Sequence, residues 1–584
     1  MGILKDFKKL YGLFSKREKV NSFIMLGLIV LGSVLATFSV GVIFPFTTIL
    51  LDQESAERYP ILQTITEIPW IGGHRRFVVL MCIALILVFA IKSLYTLFLV
   101  YIKSRFTLNR QIEMQKKLFQ SYIYKPYEFY FKKSTAELKR NIGLVSKVIQ
   151  GMLMTGLQLI TDGLTILFLS ILLFVVDPIS STVIVVMMGA FATLYYTIVK
   201  SKLDKTAKKQ NEFNLEASKA MLEAMGGIKD IRVYGRESSF VSRYEHNSRG
   251  NAKLSIFLGL ISQSPRIFIE TIAFSGLLIL VVVNVLRNPE ISGSLPMLAV
   301  YGMAALRIMP GVNNVIVGIT TIRFNNVHFN LIFDDLLEVS QVAGVTDTED
   351  IDITEKCMKF EDKIEIKGMT YRYPGTEKII LDDVDVTIKK GEMVGVVGHS
   401  GGGKTTLVDI ILGLLPPEKG GIFVDGVGIE EEDRSWRRNI GYVPQNIFIV
   451  NGSVTANVTL GVPEEKIDTE RVWAALETAN LKEFVESLDE KLETNVGQSG
   501  IRLSGGQRQR LGIARALYHD PSVLVFDEAT SALDNDSEQA ITEAIGKIGN
   551  TKTMIIIAHR LNTLEKCNVI YEVKNKKVVR KSGG

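Results

Sequence analysis

Six apolar runs, near residues 22–51, 77–102, 151–176, 179–200, 254–286 and 295–320, constrain the first half of this chain more than any other feature. A helix needs about 20 apolar residues to cross roughly 30 Å of hydrocarbon, and each run is long enough. Their length and near lack of charge argue against helices buried in a soluble protein. Basic residues give the expected orientation. Lys5, Lys8, Lys9, Lys16, Arg17 and Lys19 precede the first run, and the connection from the second run to the third is rich in Lys and Arg from Lys103 to Lys147. The fourth-to-fifth connection is basic too, whereas Asp177-Pro178 between runs three and four brings no basic residue. Both termini and the two long loops are therefore expected in the cytoplasm of a multi-pass protein of a prokaryotic inner (plasma) membrane, with the lipid bilayer as its first partner.

Those two loops are rich in helix formers and poor in Gly-Pro breaks, so the membrane helices are expected to run on beyond the bilayer. Leu4, Phe7, Tyr11 and Phe14 recur at helical spacing among lysines, which predicts an amphipathic helix within residues 1–20 lying in the membrane surface. In the connection 52–76, Ile61, Leu62, Ile65 and Ile68 share one helical face between Pro60 and Pro69, which predicts an external helix over 56–70; a capped loop is the other reading. Residues 21–325 are read as the membrane domain and 326–358 as a helical extension with an acidic linker. Strands and helices alternate over 359–584, the pattern of an α/β nucleotide-binding domain.

Composition agrees with that division: 47% hydrophobic residues beside 22% charged ones suits an apolar part joined to a soluble one. A net charge of +5 with no basic block gives no reason to expect nucleic acid. Cys82, Cys357 and Cys567 are isolated, without disulfide or metal spacing, as in a reducing compartment. No cleavable signal peptide is expected, because residues 1–20 are charged and interrupted, and Asp6 breaks the myristoylation pattern.

The segment Gly398-His399-Ser400-Gly401-Gly402-Gly403-Lys404-Thr405 fits G-x-x-x-x-G-K-[ST] between an apolar strand (393–397) and a helix opening at Thr406. Glycines let main-chain N–H groups turn toward phosphates, and the helix N-terminus adds positive potential. Gly398, Ser400, Gly401, Gly403, Lys404, Thr405 and Thr406 are thus candidates for binding a nucleotide, with Lys404 reaching the β- and γ-phosphates and Thr405 ligating Mg²⁺. The apolar stretch 522–526 ends in Asp527, a candidate Mg²⁺ ligand, and Glu528 is placed to act as general base on the attacking water. Its presence argues for turnover rather than a structural nucleotide.

Between these elements stands Leu503-Ser504-Gly505-Gly506-Gln507. With it the chain resembles ATP-binding cassette exporters over essentially its whole length, six spans followed by one cassette. The resemblance implies a helical membrane domain fused to an α/β P-loop cassette. It also implies an identical second subunit, because one subunit's phosphate loop meets the Ser504–Gln507 signature of its partner. It assigns Tyr373 to adenine stacking, Gln445 to Mg²⁺ sensing and coupling, Asp534 to the interface loop, and His559 to the γ-phosphate. It likens Pro126–Phe131 and Gly227–Glu237 to the segments that couple membrane helices to cassettes. Many such exporters carry Val-Gly-Glu before the signature, whereas this chain has Val496-Gly497-Gln498, which bears on coupling rather than on ATP binding.

Ionisable residues inside spans are costly and usually functional. Lys92, Arg266 and Arg307 are the substrate candidates; Arg266 could instead pair with Glu270 one turn on. Ser264–Glu270, Leu306–Pro310 and the external segment 52–76 resemble PglK-type flippases of lipid-linked oligosaccharides. That narrower resemblance implies a polyprenyl-pyrophosphate glycan as substrate. It departs at Asn314 and Lys92, where that family has arginines. An MsbA-like lipid or multidrug exporter is the alternative, and a nucleotide-gated regulator a third reading that the intact Glu528, Ser504 and His559 disfavour.

Overall fold

A computed structural model describes residues 2–43, 46, 74–176, 178–287, 295–341, 357–429, 433–497, 503–528, 552–557 and 567–581. Its contacts divide the chain into two compact units, Met1–Lys125 with Lys133–Thr346, and Pro126–Lys132 with Asp347–Gly584. The external-helix reading over 56–70 and the acidic linker lie outside the described residues.

The first unit is helical: α1 (Gly2–Gly12), α2 (Lys16–Gly41), α3 (His74–Ile123), α4 (Thr135–Val148), α5 (Thr155–Val176), α6 (Pro178–Gly226), α7 (Glu237–Arg287) and α8 (Leu295–Gln341). Helices cover the first apolar run as far as Gly41 and the other five, and those of the second, fourth, fifth and sixth runs extend well past them, as the loop composition predicts. Among the described residues, stretches within Lys16–Gly41, 78–123, 135–175 and 237–276 are long and apolar enough to cross a membrane. Ser15 opens α2 with a capping box, its hydroxyl accepting from the Glu18 amide while the Glu18 carboxylate accepts from the Ser15 amide. Glu18 also pairs with the buried Arg110 of α3.

Pro265 sits inside α7 and lacks the N–H that would bond the Ile261 carbonyl. The Tyr195 hydroxyl of α6 donates to that carbonyl at 2.7 Å. A backbone acceptor freed by proline is thereby satisfied from a neighbouring helix, which apolar surroundings require. Beyond the apolar stretches, Asp335 of α8 gathers three donors: Tyr122 Oη at 2.6 Å, Lys133 Nζ at 3.0 Å and Asn141 Nδ2 at 3.2 Å. Lys125 pairs with Glu338, one turn along the same helix. Both flanks of the 126–132 segment are therefore anchored to α8.

The second unit holds β1 (Lys363–Arg372), β2 (Ile379–Lys389), β3 (Met393–Gly398), β4 (Lys419–Val424), β5 (Val427–Gly428), β6 (Ile440–Val443), β7 (Val523–Asp527), β8 (Thr553–Ile557), β9 (Val569–Lys574) and β10 (Lys577–Lys581). An antiparallel sheet runs β2-β1-β4-β5, and a six-stranded sheet runs β10-β9-β3-β8-β7-β6. Within the latter, β9-β3-β8-β7-β6 is parallel. Its central strands β7 and β8 are buried at every residue, the signature of a parallel sheet covered on both faces. Helices α9 (Lys404–Ile411) and α10 (Gly505–Tyr518) complete the elements that bear the motifs.

Candidate nucleotide site

Strands β3 and β7 flank β8 in parallel register, so the phosphate loop after β3 and the acidic pair after β7 emerge at one end of the sheet. The loop needs its glycines. Gly398 has φ +153°, and a Cβ there would stand 2.5 Å from the Val573 carbonyl oxygen. Gly403 caps α9 in a left-handed conformation, φ 104°. Lys404 is buried, and its ammonium donates to the carbonyls of Gly398 at 3.0 Å and His399 at 3.1 Å. The lysine therefore braces the loop around the space that phosphates would fill.

Glu528 follows β7 with φ 50°, a strained value for a residue with a side chain, and its amide is held by the Ile557 carbonyl at 3.1 Å. Gln445 Nε2 donates to Glu528 Oε2 at 2.7 Å. The structure thus joins two residues that the sequence assigned separately, and the amide fixes the carboxylate's direction. Asp527 is buried; desolvation pushes its carboxyl up from the usual range, helped by the Glu528 charge and opposed by Lys404 and a bond from Tyr442.

Asp409, on α9, went unnoticed in the sequence. Burial, with the Asp527 charge beside it, pushes its carboxyl up to about 6. A lone acid among Leu407, Val408, Ile410 and Ile411 was the signal that could have found it. A carboxyl raised by a neighbouring carboxylate marks a place where a cation is favoured. Among the described residues, no group of three or more His, Cys, Asp or Glu could hold a metal ion by itself. The oxygen donors Thr405 and Asp527 fit Mg²⁺, which binds through one or two protein oxygens together with phosphates and water.

Tyr373 Oη lies 3.0 Å from Thr406 Oγ1, and its ring meets Tyr371 edge-on at 5.3 Å. The Pro126–Lys132 segment, which groups with this unit, brings Phe131 edge-on to Tyr373 at 5.3 Å and Glu128 to the Tyr371 hydroxyl at 3.3 Å. Ser504 opens α10 with a second capping box: its hydroxyl accepts from the Gln507 amide at 3.2 Å, and its own amide donates to Gln507 Oε1 at 2.8 Å. Ser504 and Gly505 are exposed at that helix N-terminus, while Gly506 is buried. Gln498, Asp534 and His559 lie outside the described residues.

The substrate candidates do not form a described cluster. Lys92 is half-buried on α3 and Arg266 is exposed on α7. Arg266 forms no ion pair with Glu270 among the described residues. Arg307 lies on α8, its side chain outside the described residues. What the structure does assemble in this region is different. Lys103 Nζ donates to Gln158 Oε1 at 2.8 Å, and Gln158 Nε2 to Asp162 Oδ2 at 3.0 Å. Asn314 of α8 is a further polar neighbour of Asp162. Asp162 is an ionisable group inside the third apolar run that sequence reading passed over.

Known proteins share both parts. Residues 381–531 match the family model of the ABC transporter, and residues 22–288 that of the ABC transporter transmembrane region. An ATP-dependent lipid A-core flippase of Ralstonia nicotianae is 31% identical over 98% of this chain and 92% of its own. Its counterpart of Pseudomonas aeruginosa is 29% identical over 80% and 76%. Among solved structures, a bacterial Atm1-family ABC exporter with ATP bound superposes with a TM-score of 0.73 at 19% identity, over 97% of this chain and 94% of that one.

Proposed function

Starting from a chain that belongs to the ABC transporter family, an ATP-hydrolysing membrane protein with a helical transmembrane region fused to its cassette, we propose that two copies form a flippase. Its cargo is an amphipathic lipid with a large anionic sugar headgroup, carried from the cytoplasmic to the outer leaflet. The observation that carries this reading is the alignment of the lipid A-core flippases along nearly the whole chain. It favours the MsbA-like alternative over a polyprenyl-pyrophosphate glycan. The proximity of Asn314 to Asp162 adds to that preference, since a carboxylate stands beside the position where the glycolipid flippases have an arginine.

Each ATP would lie between the 398–405 loop of one subunit and the Ser504–Gln507 cap of the other. Lys404 and the loop amides bind the phosphates, and the N-terminus of α10 faces the γ-phosphate with its unpaired N–H groups. Gln445 orients Glu528, and Glu528 accepts a proton from the water that attacks the γ-phosphorus. Thr405, Asp527 and Gln445 would hold Mg²⁺, which when bound neutralises charge on the phosphate oxygens. Closure of the pair on ATP, and its release on hydrolysis, can drive the membrane helices only through differential affinity for the two states. Tyr373 serves adenine stacking, Asp534 the interface and His559 the γ-phosphate in this scheme. Arg266, Arg307 and Lys92 would meet the anionic headgroup.

Proteoliposomes test the proposal, with lipid A-type and polyprenyl-pyrophosphate glycolipids assayed side by side and the Glu528→Gln protein as control. ATP-dependent flipping of the lipid A type supports this reading. Flipping of the polyprenyl glycolipid alone would restore the oligosaccharide reading, and transport of neither, with drug-stimulated ATPase, would move the assignment to a multidrug exporter.

A further inference from the structure

The amphipathic helix α1 does not lie flush on the bundle. Between it and helices α2, α3 and α5 runs a groove of about 230 Å³, walled by carbon. Phe7 and Tyr11 form one wall, Phe23 and Leu26 of α2 a second, and Gly156 and Ile160 of α5 the floor. The absence of a side chain at Gly156 lets the Phe7 ring of α1 close that end of the groove: a Cβ there would meet the ring at 2.8 Å. The groove opens outward, for Phe23 is 74% exposed, Leu26 46% and Ile160 40%. On helices apolar enough to cross a membrane, such a surface faces acyl chains.

Its rim is basic. Lys16, Arg17 and Lys19 stand at the start of α2, and the Lys19 ammonium lies 5.6 Å from the centre of the Tyr11 ring. The one acid among them, Glu18, is taken up by Arg110 and the Ser15 amide. Apolar walls beneath a cationic rim, at the point where a surface helix meets a span, match one chemistry: a hydrocarbon tail below a negative headgroup. We propose that this groove is a binding site for one acyl chain of an anionic phospholipid, with its phosphate at Lys16 and Lys19. The site is separate from the transported lipid and rests only on the protein's place in the membrane.

The test places a reporter in the wall. Tyr11→Trp is introduced into the full-length protein in phosphatidylcholine vesicles, and the emission of the native tryptophans is subtracted using the parent protein. Phosphatidylglycerol or phosphatidylcholine with brominated chains is then titrated in. Half-quenching should need roughly fivefold less brominated phosphatidylglycerol, the effect of about one basic side chain near a headgroup. Lys16→Gln with Lys19→Gln should abolish the difference. Ser22→Phe, which fills the groove and leaves the cations in place, should reduce quenching by both lipids while basal ATPase is retained. Equal quenching by the two lipids in the parent background would show ordinary annular lipid and overturn the proposal. So would a Tyr11→Trp protein whose reporter neither lipid quenches, because protein would then occupy the groove.

Discussion

Lys404 and Lys103 are both buried, at 5% and 2% exposure, and their surroundings treat the charge differently. In the cassette, Lys404 bonds main-chain carbonyls of its own loop, while Asp527, Asp409 and Glu528 crowd together with their carboxyls pushed up or held in place by a neighbour. In the proposed scheme that arrangement is completed by phosphate and a cation. In the membrane unit, Lys103 bonds Gln158, Gln158 bonds Asp162, and Asn314 stands beside Asp162, so polar side chains of three helices answer one another. The first set of charges is built to receive a ligand and the second to brace helices against one another. Buried polarity by itself does not mark a site; what separates the two is whether the groups satisfy each other.

The largest effect is expected on the ligand side. Glu528→Gln removes the proposed base but keeps the shape and a bond to Gln445, so ATP hydrolysis should fall by about 10²–10⁴-fold, the range for loss of a general base. ATP binding, followed with a fluorescent analogue, should stay near that of the parent. Turnover close to the parent's would remove Glu528 from the chemistry and blur the contrast at its source.

Lys103→Met sharpens the contrast from the other side. It leaves the Gln158 carbonyl short of its donor in apolar surroundings, at a cost of roughly 1–3 kcal/mol. A lower melting temperature in detergent, with ATP binding intact, is the expected result. Lys404→Met should do the reverse, losing ATP binding with little change in melting of the helical unit. If Lys103→Met instead abolished transport at unchanged stability, the Lys103–Asp162 chain would belong to the substrate path.

How far each region could be read in advance follows the same line. Phosphate chemistry needs particular residues at fixed spacing, so Lys404, Asp527, Glu528 and Ser504 stood out as motifs, and the alternation of strands and helices around them gave the fold class. Helix length was legible from six apolar runs. Partners between helices were not, because they depend on which faces pack. Nothing in the sequence says that Tyr195 bonds the carbonyl released by Pro265, or that Gly156 admits the Phe7 ring of α1. Arg266 and Glu270 show the converse: a spacing that suits a pair, with no pair formed among the described residues. Asp162 and Asp409 were each visible as lone acids in aliphatic stretches, and both were outweighed by the arginines.

Tyr195→Phe offers a smaller test of the bracing. It removes the donor to the Ile261 carbonyl while the ring stays packed, and bonds of this kind between membrane helices average about 0.6 kcal/mol, with a maximum near 1.7. A small drop in melting temperature, matching a stability loss of that size, is expected with ATPase unchanged. No drop would mean that the proline-freed carbonyl finds another partner.

The smallest effect concerns pH. Asp409 titrates near 6 in the folded protein, above the ordinary carboxyl value of 3.8. Between those values the folded state holds more proton than the unfolded one, so this group's contribution to stability falls as pH rises from about 4 to about 6 and stays low above it. Asp409→Asn removes the titration, so nucleotide-free protein carrying it should lose part of the parent's decline across that window and be the more stable of the two at pH 7.5. Adding Mg²⁺ and ATP should narrow the gap at pH 7.5, because a cation beside Asp527 favours the ionised carboxyl. A variant whose melting follows the parent's at every pH would show that Asp409 shares its proton evenly between folded and unfolded states. The crowding of carboxylates around Asp527 would then be no more ligand-directed than the polar chain around Lys103.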